Sequence, residues 1–117
     1  MKRKIIPTRN EIWYVDLDPT KGREQAKKRP CLVVSANTYN AGPYQLVVIV
    51  PLTSKYHPFS WFVELKPEHS GLSKTSYVIT NQIRTVSLER FIGKPIGSID
   101  STYMSAIEFR LRALLAL

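Results

Sequence analysis

Three consecutive cations, Lys27, Lys28 and Arg29, run into Pro30 and then into the apolar stretch Cys31-Leu32-Val33-Val34. Proline fixes its own φ and biases the residue before it toward extended backbone, so the Arg29 guanidinium is expected at the mouth of a strand, held on a rigid edge. A guanidinium is always charged, and its planar fork of donors fits two oxygens of one phosphate. Taken alone, the same residues also describe a solvated basic turn ahead of an ordinary strand. A second group with usable chemistry follows the next apolar run, where Thr53, Ser54 and Lys55 bring two hydroxyls and a cation. His57 and His69 could move protons near neutral pH, but each reads as a surface loop residue, and two unpatterned histidines are too few for a zinc site. The single Cys31 can form neither an internal disulfide nor a metal cluster. It reads as a buried thiol in a reducing cytoplasm, and no metal or other cofactor is expected.

The 117 residues are enough for one domain with a real core, read as a single unit over 1–117. Seventeen lysines and arginines against nine acids give a net charge of +8, which favours an anionic partner, nucleic acid before membrane. The basic N-terminal residues are followed by no apolar signal segment, and Leu46 to Val50 is far too short to span a bilayer. The expectation is a soluble, cytoplasmic protein.

These groups must be positioned by the elements around them. Glu11 to Leu17 alternates, with Trp13, Val15 and Leu17 on one side, the period of a half-buried strand. The run from Pro19 to Arg29 carries Gly22 and six charged side chains, and a loop of that length in a small domain is more often functional than idle. Cys31 to Ser35 is apolar on both faces and should be covered on both. Asn37 to Pro43 offers at most one helical turn. Tyr44 to Val50 is a strand whose stretch Leu46-Val47-Val48-Ile49-Val50 is nearly all β-branched, and it should be central. Trp61 to Leu65 makes a fourth strand with Trp61 toward the core, Lys66 to Gly71 a loop, and Ser76 to Thr80 a fifth strand continued by Asn81 to Val86. Ser87 to Arg90 is a helical turn, and Phe91 to Ile99 a strand bent at Gly93 and Gly97. From Asp100 the period becomes helical, with Met104, Ile107, Leu111, Leu114 and Leu115 on one face and Asp100 or Ser101 as N-cap. Short strands at turn-punctuated spacing plus a terminal helix predict a mainly β fold with α, a small and partly open barrel. Its core is expected to hold Trp13, Val15, Leu32, Val34, Val48, Val50, Trp61, Val63 and Ile79. If the second and third strands pair antiparallel, Arg29 before one and Thr53 after the other meet at one edge.

Taken in order, the motifs resemble the MazF/PemK (Kid) family of toxin endoribonucleases over nearly the whole chain. The resemblance is carried by Glu11 to Pro19, Gly22-Arg23-Glu24-Gln25, Arg29-Pro30 with its strand, Val50-Pro51-Leu52-Thr53 and Asn81-Gln82-Ile83-Arg84-Thr85. One departure stands at the start, where relatives usually have Arg-Gly-Glu and this chain has Arg9-Asn10-Glu11; asparagine is the next best residue for a positive φ. The basic loop from Arg23 to Lys28 is a second departure, bearing on target preference.

The resemblance implies an SH3-like or CcdB-like barrel, a homodimer, a cognate antitoxin with an acidic, disordered segment, and metal-free cleavage of single-stranded RNA to 2′,3′-cyclic phosphate and 5′-hydroxyl ends. It also implies catalytic roles for Arg29 and Thr53. In such chemistry the 2′-hydroxyl is the nucleophile, and the protein supplies proton transfer and stabilisation of the phosphorane. Substrate contacts are expected from Glu24, Gln25, Lys28, Ser54, Lys55 and Gln82; Glu24 could equally pair with Lys27 or Lys28, and Gln82 could as easily cap a strand as read a base edge. Trp61 or Phe62 could stack on a base. Two other readings are a non-enzymatic poison similar to CcdB, which binds gyrase and would need neither Arg29 nor Thr53, and a plain nucleic-acid-binding barrel, which rests on charge alone.

Overall fold

The computed structural model describes residues 5–19, 21–23 and 27–117. Seven strands, β1 (Glu11–Asp16), β2 (Lys28–Val33), β3 (Leu46–Thr53), β4 (Phe62–Leu65), β5 (Ser76–Ile79), β6 (Arg84–Ser87) and β7 (Phe91–Ser98), form an antiparallel sheet in the order β4-β5-β3-β2-β1-β7, with β6 also on β3. One-turn helices α1 (Asn37–Asn40) and α2 (Pro67–Ser70) lie in connections, and α3 (Ser101–Leu115) closes the chain. The sheet stays open, with β4, β6 and β7 each paired along one side only among the described residues. This is the expected mainly β, partly open architecture with a terminal helix.

β3 organises it. Its β-branched run carries β2 on one side and two consecutive partners on the other: β6 opposite Leu46 to Ile49, and β5 opposite Leu52 and Thr53. Four steps along β3, from Thr53 to Ile49, correspond to seven along its partner, from Tyr77 to Arg84, so three extra residues must leave the ladder. They do so as a 3-10 turn, Thr80–Gln82. The predicted continuation of the fifth strand through Asn81 is therefore interrupted. Pro51 falls at this gap, where β3 has a ladder partner only in Cys31 of β2, a position that spares a strand proline a missing donor.

Alternation sends β1 and β2 into two separate apolar clusters, where the sequence suggested one core. Ile12, Leu32, Val34, Val50, Val63 and Val78 pack with Met104 and Ile107 of α3. Trp13, Val15, Leu17, Cys31, Val33 and Ile49 pack on the other face with Val86 and Phe91. There Trp13 meets Phe91 edge to face, at 5.7 Å between centroids and 83°. β2 is thus covered on both faces, as its composition required. Val48 and Trp61 are only half-buried, because Trp61 stands before β4 and Val48 at the margin of its cluster.

The connections follow local chemistry. Asn10 adopts φ 80° before β1, the left-handed bend its sequence position called for. The segment Lys66 to Gly71, expected as loop, contains α2, started by Pro67 at a first-turn position and stopped by Gly71 at φ 80°. Gly97 lets β7 pass α2: a Cβ there would lie 2.5 Å from the Ser70 carbonyl oxygen. Asp100 caps α3, its Oδ1 accepting from Thr102 N–H at 2.9 Å and Tyr103 N–H at 3.3 Å. Leu115, expected on the buried face, is 49% exposed in the last turn.

Candidate active site

The expected Arg29 at a strand mouth is instead inside β2. Leu17 N–H donates to Lys27 O at 2.9 Å, and the ladder then sets Asp16 opposite Lys28, Val15 opposite Arg29 and Tyr14 opposite Pro30. β2 therefore starts at Lys28, three residues before the apolar run. Pro30 is tolerated because the pairing to β3 begins only at Cys31, leaving β1 as its sole ladder neighbour. Thr53 is likewise the last residue of β3, not a residue beyond it.

The predicted meeting of the two nevertheless occurs. Extending the Cys31↔Pro51 pairing by two residues sets Arg29 across from Thr53, whose partner on the far side is Tyr77. Both residues line a cleft of about 280 Å³ with Lys27, Lys28 and Ser54. Tyr14, Ser73, Lys74 and Ser76 complete its polar lining. Among the described residues, four cations and four aliphatic hydroxyls thus share a cleft whose lining holds no carboxylate. Thr53 is buried, and its Oγ1 accepts from Lys55 N–H at 3.2 Å, which orients the hydroxyl and leaves its proton to be donated elsewhere. Such a site suits an anion whose charge grows during reaction.

Cys31 lies beneath. Burial pushes its thiol from an ordinary 9.0 up to about 12, against the opposing pull of the Arg84 and Arg29 guanidiniums. A thiol held neutral in this way is no nucleophile.

The other expected residues divide. Ser54 and Lys28 join the cleft, whereas Lys55 is exposed outside its lining. Gln82 lines a different cavity of about 430 Å³ with Arg23, Asn81 and Arg84, and its Nε2 donates to Arg23 O at 3.4 Å. Glu24 and Gln25 lie outside the described residues. His57 is exposed between β3 and β4, away from the cleft lining. His69, expected in a surface loop, is half-buried in α2, with Nε2 3.0 Å from Tyr103 Oη.

Sequence reasoning missed Tyr14, Ser73 and Lys74 in the cleft; the hydroxyl-cation pair Ser73-Lys74, echoing Ser54-Lys55, was the available signal. It also missed two clasping arginines. Arg84 Nη1 donates to Leu17 O at 2.9 Å, and Arg90 Nη1 donates to Asp16 O at 3.0 Å and to Asp18 O. With Lys27 N–H on Asp18 Oδ1 at 2.9 Å, these bonds fix both ends of the β1–β2 connection that leads to Arg29.

Residues 8–115 match the family described as PemK-like, MazF-like toxin of type II toxin-antitoxin system. The chain belongs to the PemK/MazF toxin family. Among PemK/MazF relatives, the endoribonuclease MazF9 of Mycobacterium tuberculosis is 35% identical over 111 residues, covering 89% of this chain and 92% of that protein. The fold is that of MazF from Deinococcus radiodurans, at a TM-score of 0.85 and 22% identity over 97% of this chain and all of that one. A mycobacterial endoribonuclease solved in complex with its cognate antitoxin superposes with a TM-score of 0.76 at 26% identity, covering 95% of this chain and 96% of that one. Among the described residues of this PemK/MazF member, no helix is long and apolar enough to cross a membrane.

Proposed function

We propose that this chain is a sequence-specific endoribonuclease toxin that cleaves single-stranded RNA without a resident metal. The observation that carries the reading is the register of β2 on β3, which brings Arg29 and Thr53 together in a cleft lined by lysines and hydroxyls. In the proposed reaction the RNA 2′-oxygen bonds to the adjacent phosphorus and the bond from phosphorus to O5′ breaks. The 2′ proton is lost to a general base and O5′ gains one, giving 2′,3′-cyclic phosphate and 5′-hydroxyl ends. Arg29 neutralises the non-bridging oxygens as the phosphorane forms, and Thr53 donates a hydrogen bond to the same charge. Arg29 is assigned charge stabilisation and not proton abstraction, because a guanidinium keeps its proton and is a poor base. Lys28 and Ser54 hold the flanking phosphates.

The active species in this reading is a cytoplasmic homodimer, neutralised by an acidic antitoxin segment that orders on the basic surface. Support for the partner comes from the antitoxin complex of the mycobacterial relative. The family assignment disfavours the gyrase-poison and plain binding readings.

Primer extension on a long RNA treated with the purified protein tests activity and cut site together. Discrete cuts unaffected by EDTA, with 2′,3′-cyclic ends, are expected, and 2′-deoxy substitution at the cut nucleotide should abolish them. Cleavage that persists at the 2′-deoxy position would refute the mechanism and turn attention to His57.

A further inference from the structure

The segment between β3 and β4 exposes an aromatic cluster that neither apolar core uses. Tyr56 and Phe59 are 68% and 58% exposed, and His57 is exposed beside them. Their rings are nonetheless ordered against one another. Tyr56 meets Tyr77 of β5 edge to face at 5.7 Å, His57 lies parallel to Phe59 at 5.8 Å, and Phe62 at the head of β4 touches both, at 5.3 Å and 5.8 Å. With Glu64, these rings line an open concavity of about 390 Å³. Concentrated aromatic surface left in water is a common mark of a binding site.

Its position is informative. Tyr77 is the register partner of Thr53, so the concavity begins one strand, about 5 Å, from the Arg29–Thr53 cleft. Lys55 is an exposed cation in the chain between Thr53 and Tyr56. We infer that the concavity is a nucleobase subsite, taking the base next to the scissile phosphate, and this rests on the endoribonuclease reading. The base stacks on Tyr56 and Phe59, a contact every base can make, while Lys55 meets the intervening phosphate. Glu64, the carboxylate in the lining, accepts a hydrogen bond from an exocyclic amino group and so favours cytosine, adenine or guanine over uracil. The Glu64 carboxylate in that lining also argues against an acidic peptide here.

The test uses the full chain and a twelve-nucleotide RNA spanning the mapped cut site, 2′-deoxy at the cut nucleotide, with 2-aminopurine placed at one neighbouring position at a time. Wild type should quench the fluorophore at a single position beside the cut. The double variant Tyr56→Ala, Phe59→Ala should lose that quench and bind roughly five- to a hundredfold more weakly, Tyr56→Phe should retain both, and Glu64→Gln should narrow the discrimination against uracil there. Unchanged quench and affinity in the double variant would overturn the subsite. So would loss of an acidic antitoxin peptide with RNA binding intact, which would give the surface to that partner. A wild type that cleaves RNA beside an unaffected double variant refutes the subsite alone, whereas a wild type that never cleaves refutes the endoribonuclease reading beneath it.

Discussion

The two cavities flanking β3 are both basic, yet their cations are used differently. In the Arg29 cleft, lysines and hydroxyls gather around a buried threonine whose proton is available to an incoming group. In the Arg84 cavity, and at Arg90 beside it, guanidinium donors are committed to main-chain carbonyls of residues 16–18, and Gln82 is committed to that of Arg23. Net charge therefore overstates the surface available to an anionic ligand. Half-buried arginines near a site can be part of its frame, as the carbonyl bonds of Arg84 and Arg90 show.

The sharpest way to break this contrast is to remove the groups assigned to substrate. Arg29→Ala and Thr53→Ala should each lower kcat about a hundredfold to a thousandfold, the usual consequence of deleting one stabilising donor, with circular dichroism and thermal stability close to wild type. A variant that cleaves RNA at an undiminished rate would remove Arg29 from the reaction. A variant that unfolds would move Arg29 to the same structural category as Arg84.

Arg84→Ala should behave differently. Its loss leaves the Leu17 carbonyl without a charged donor, a stability cost of about 1–3 kcal/mol. It also loosens the connection that delivers Arg29, and misplacing a catalytic group by about 1 Å can cost up to a hundredfold in rate. The discriminating measurement is amide hydrogen exchange over residues 16–18, which should speed up in Arg84→Ala and stay unchanged in Arg29→Ala. Equal exchange in both would erase the distinction between frame and site.

A smaller effect is expected at Lys28, which lines the cleft but has Asp16 as its cross-strand partner. Lys28→Ala should weaken RNA binding a few-fold and reduce the slope of log affinity against log salt by about 0.7, the value for one phosphate contact on a single strand. An unchanged slope would show that Lys28 contacts no phosphate.

Much of this arrangement was legible in the sequence because it is local. Two apolar runs joined by the short Ala36 to Pro43 connection imply an antiparallel pair, and that pairing alone brings Arg29 near Thr53. The alternation of Glu11 to Leu17 was equally readable, although assigning Trp13 and Leu32 to one core ignored that their faces differ. What could not be read is non-local. Lys74 reaches the cleft from the α2–β5 connection, and Arg84 and Arg90 find carbonyls 67 and 74 residues away, relations that no periodicity encodes. Trp61 was misassigned for another reason: size suggested burial, but its place ahead of β4 leaves it half-exposed.

Cys31 tests whether both clefts act on the sheet between them. Its thiol is buried, raised to about 12, and drawn downward by Arg84 and Arg29 together. A group whose folded pKa lies above its unfolded value contributes stability that is fully present below the unfolded pKa and is lost as pH rises toward the folded one. From about pH 9 upward the unfolded thiol ionises while the native one does not, so stability should fall between about pH 9 and 12 by up to about 1.4 kcal/mol per pH unit from this group. Lysines and tyrosines titrate in the same range, so the informative quantity is the difference in denaturant-derived stability between wild type and Cys31→Ala as a function of pH. That difference should be flat below pH 8 and slope above 9. In Arg29→Ala or Arg84→Ala, with one attraction removed, the thiol is held neutral more firmly and the loss of stability should extend to higher pH. A difference that stays flat to pH 11 would mean that Cys31 ionises as readily in the folded chain as in the unfolded one, its burial fully offset by the two guanidiniums.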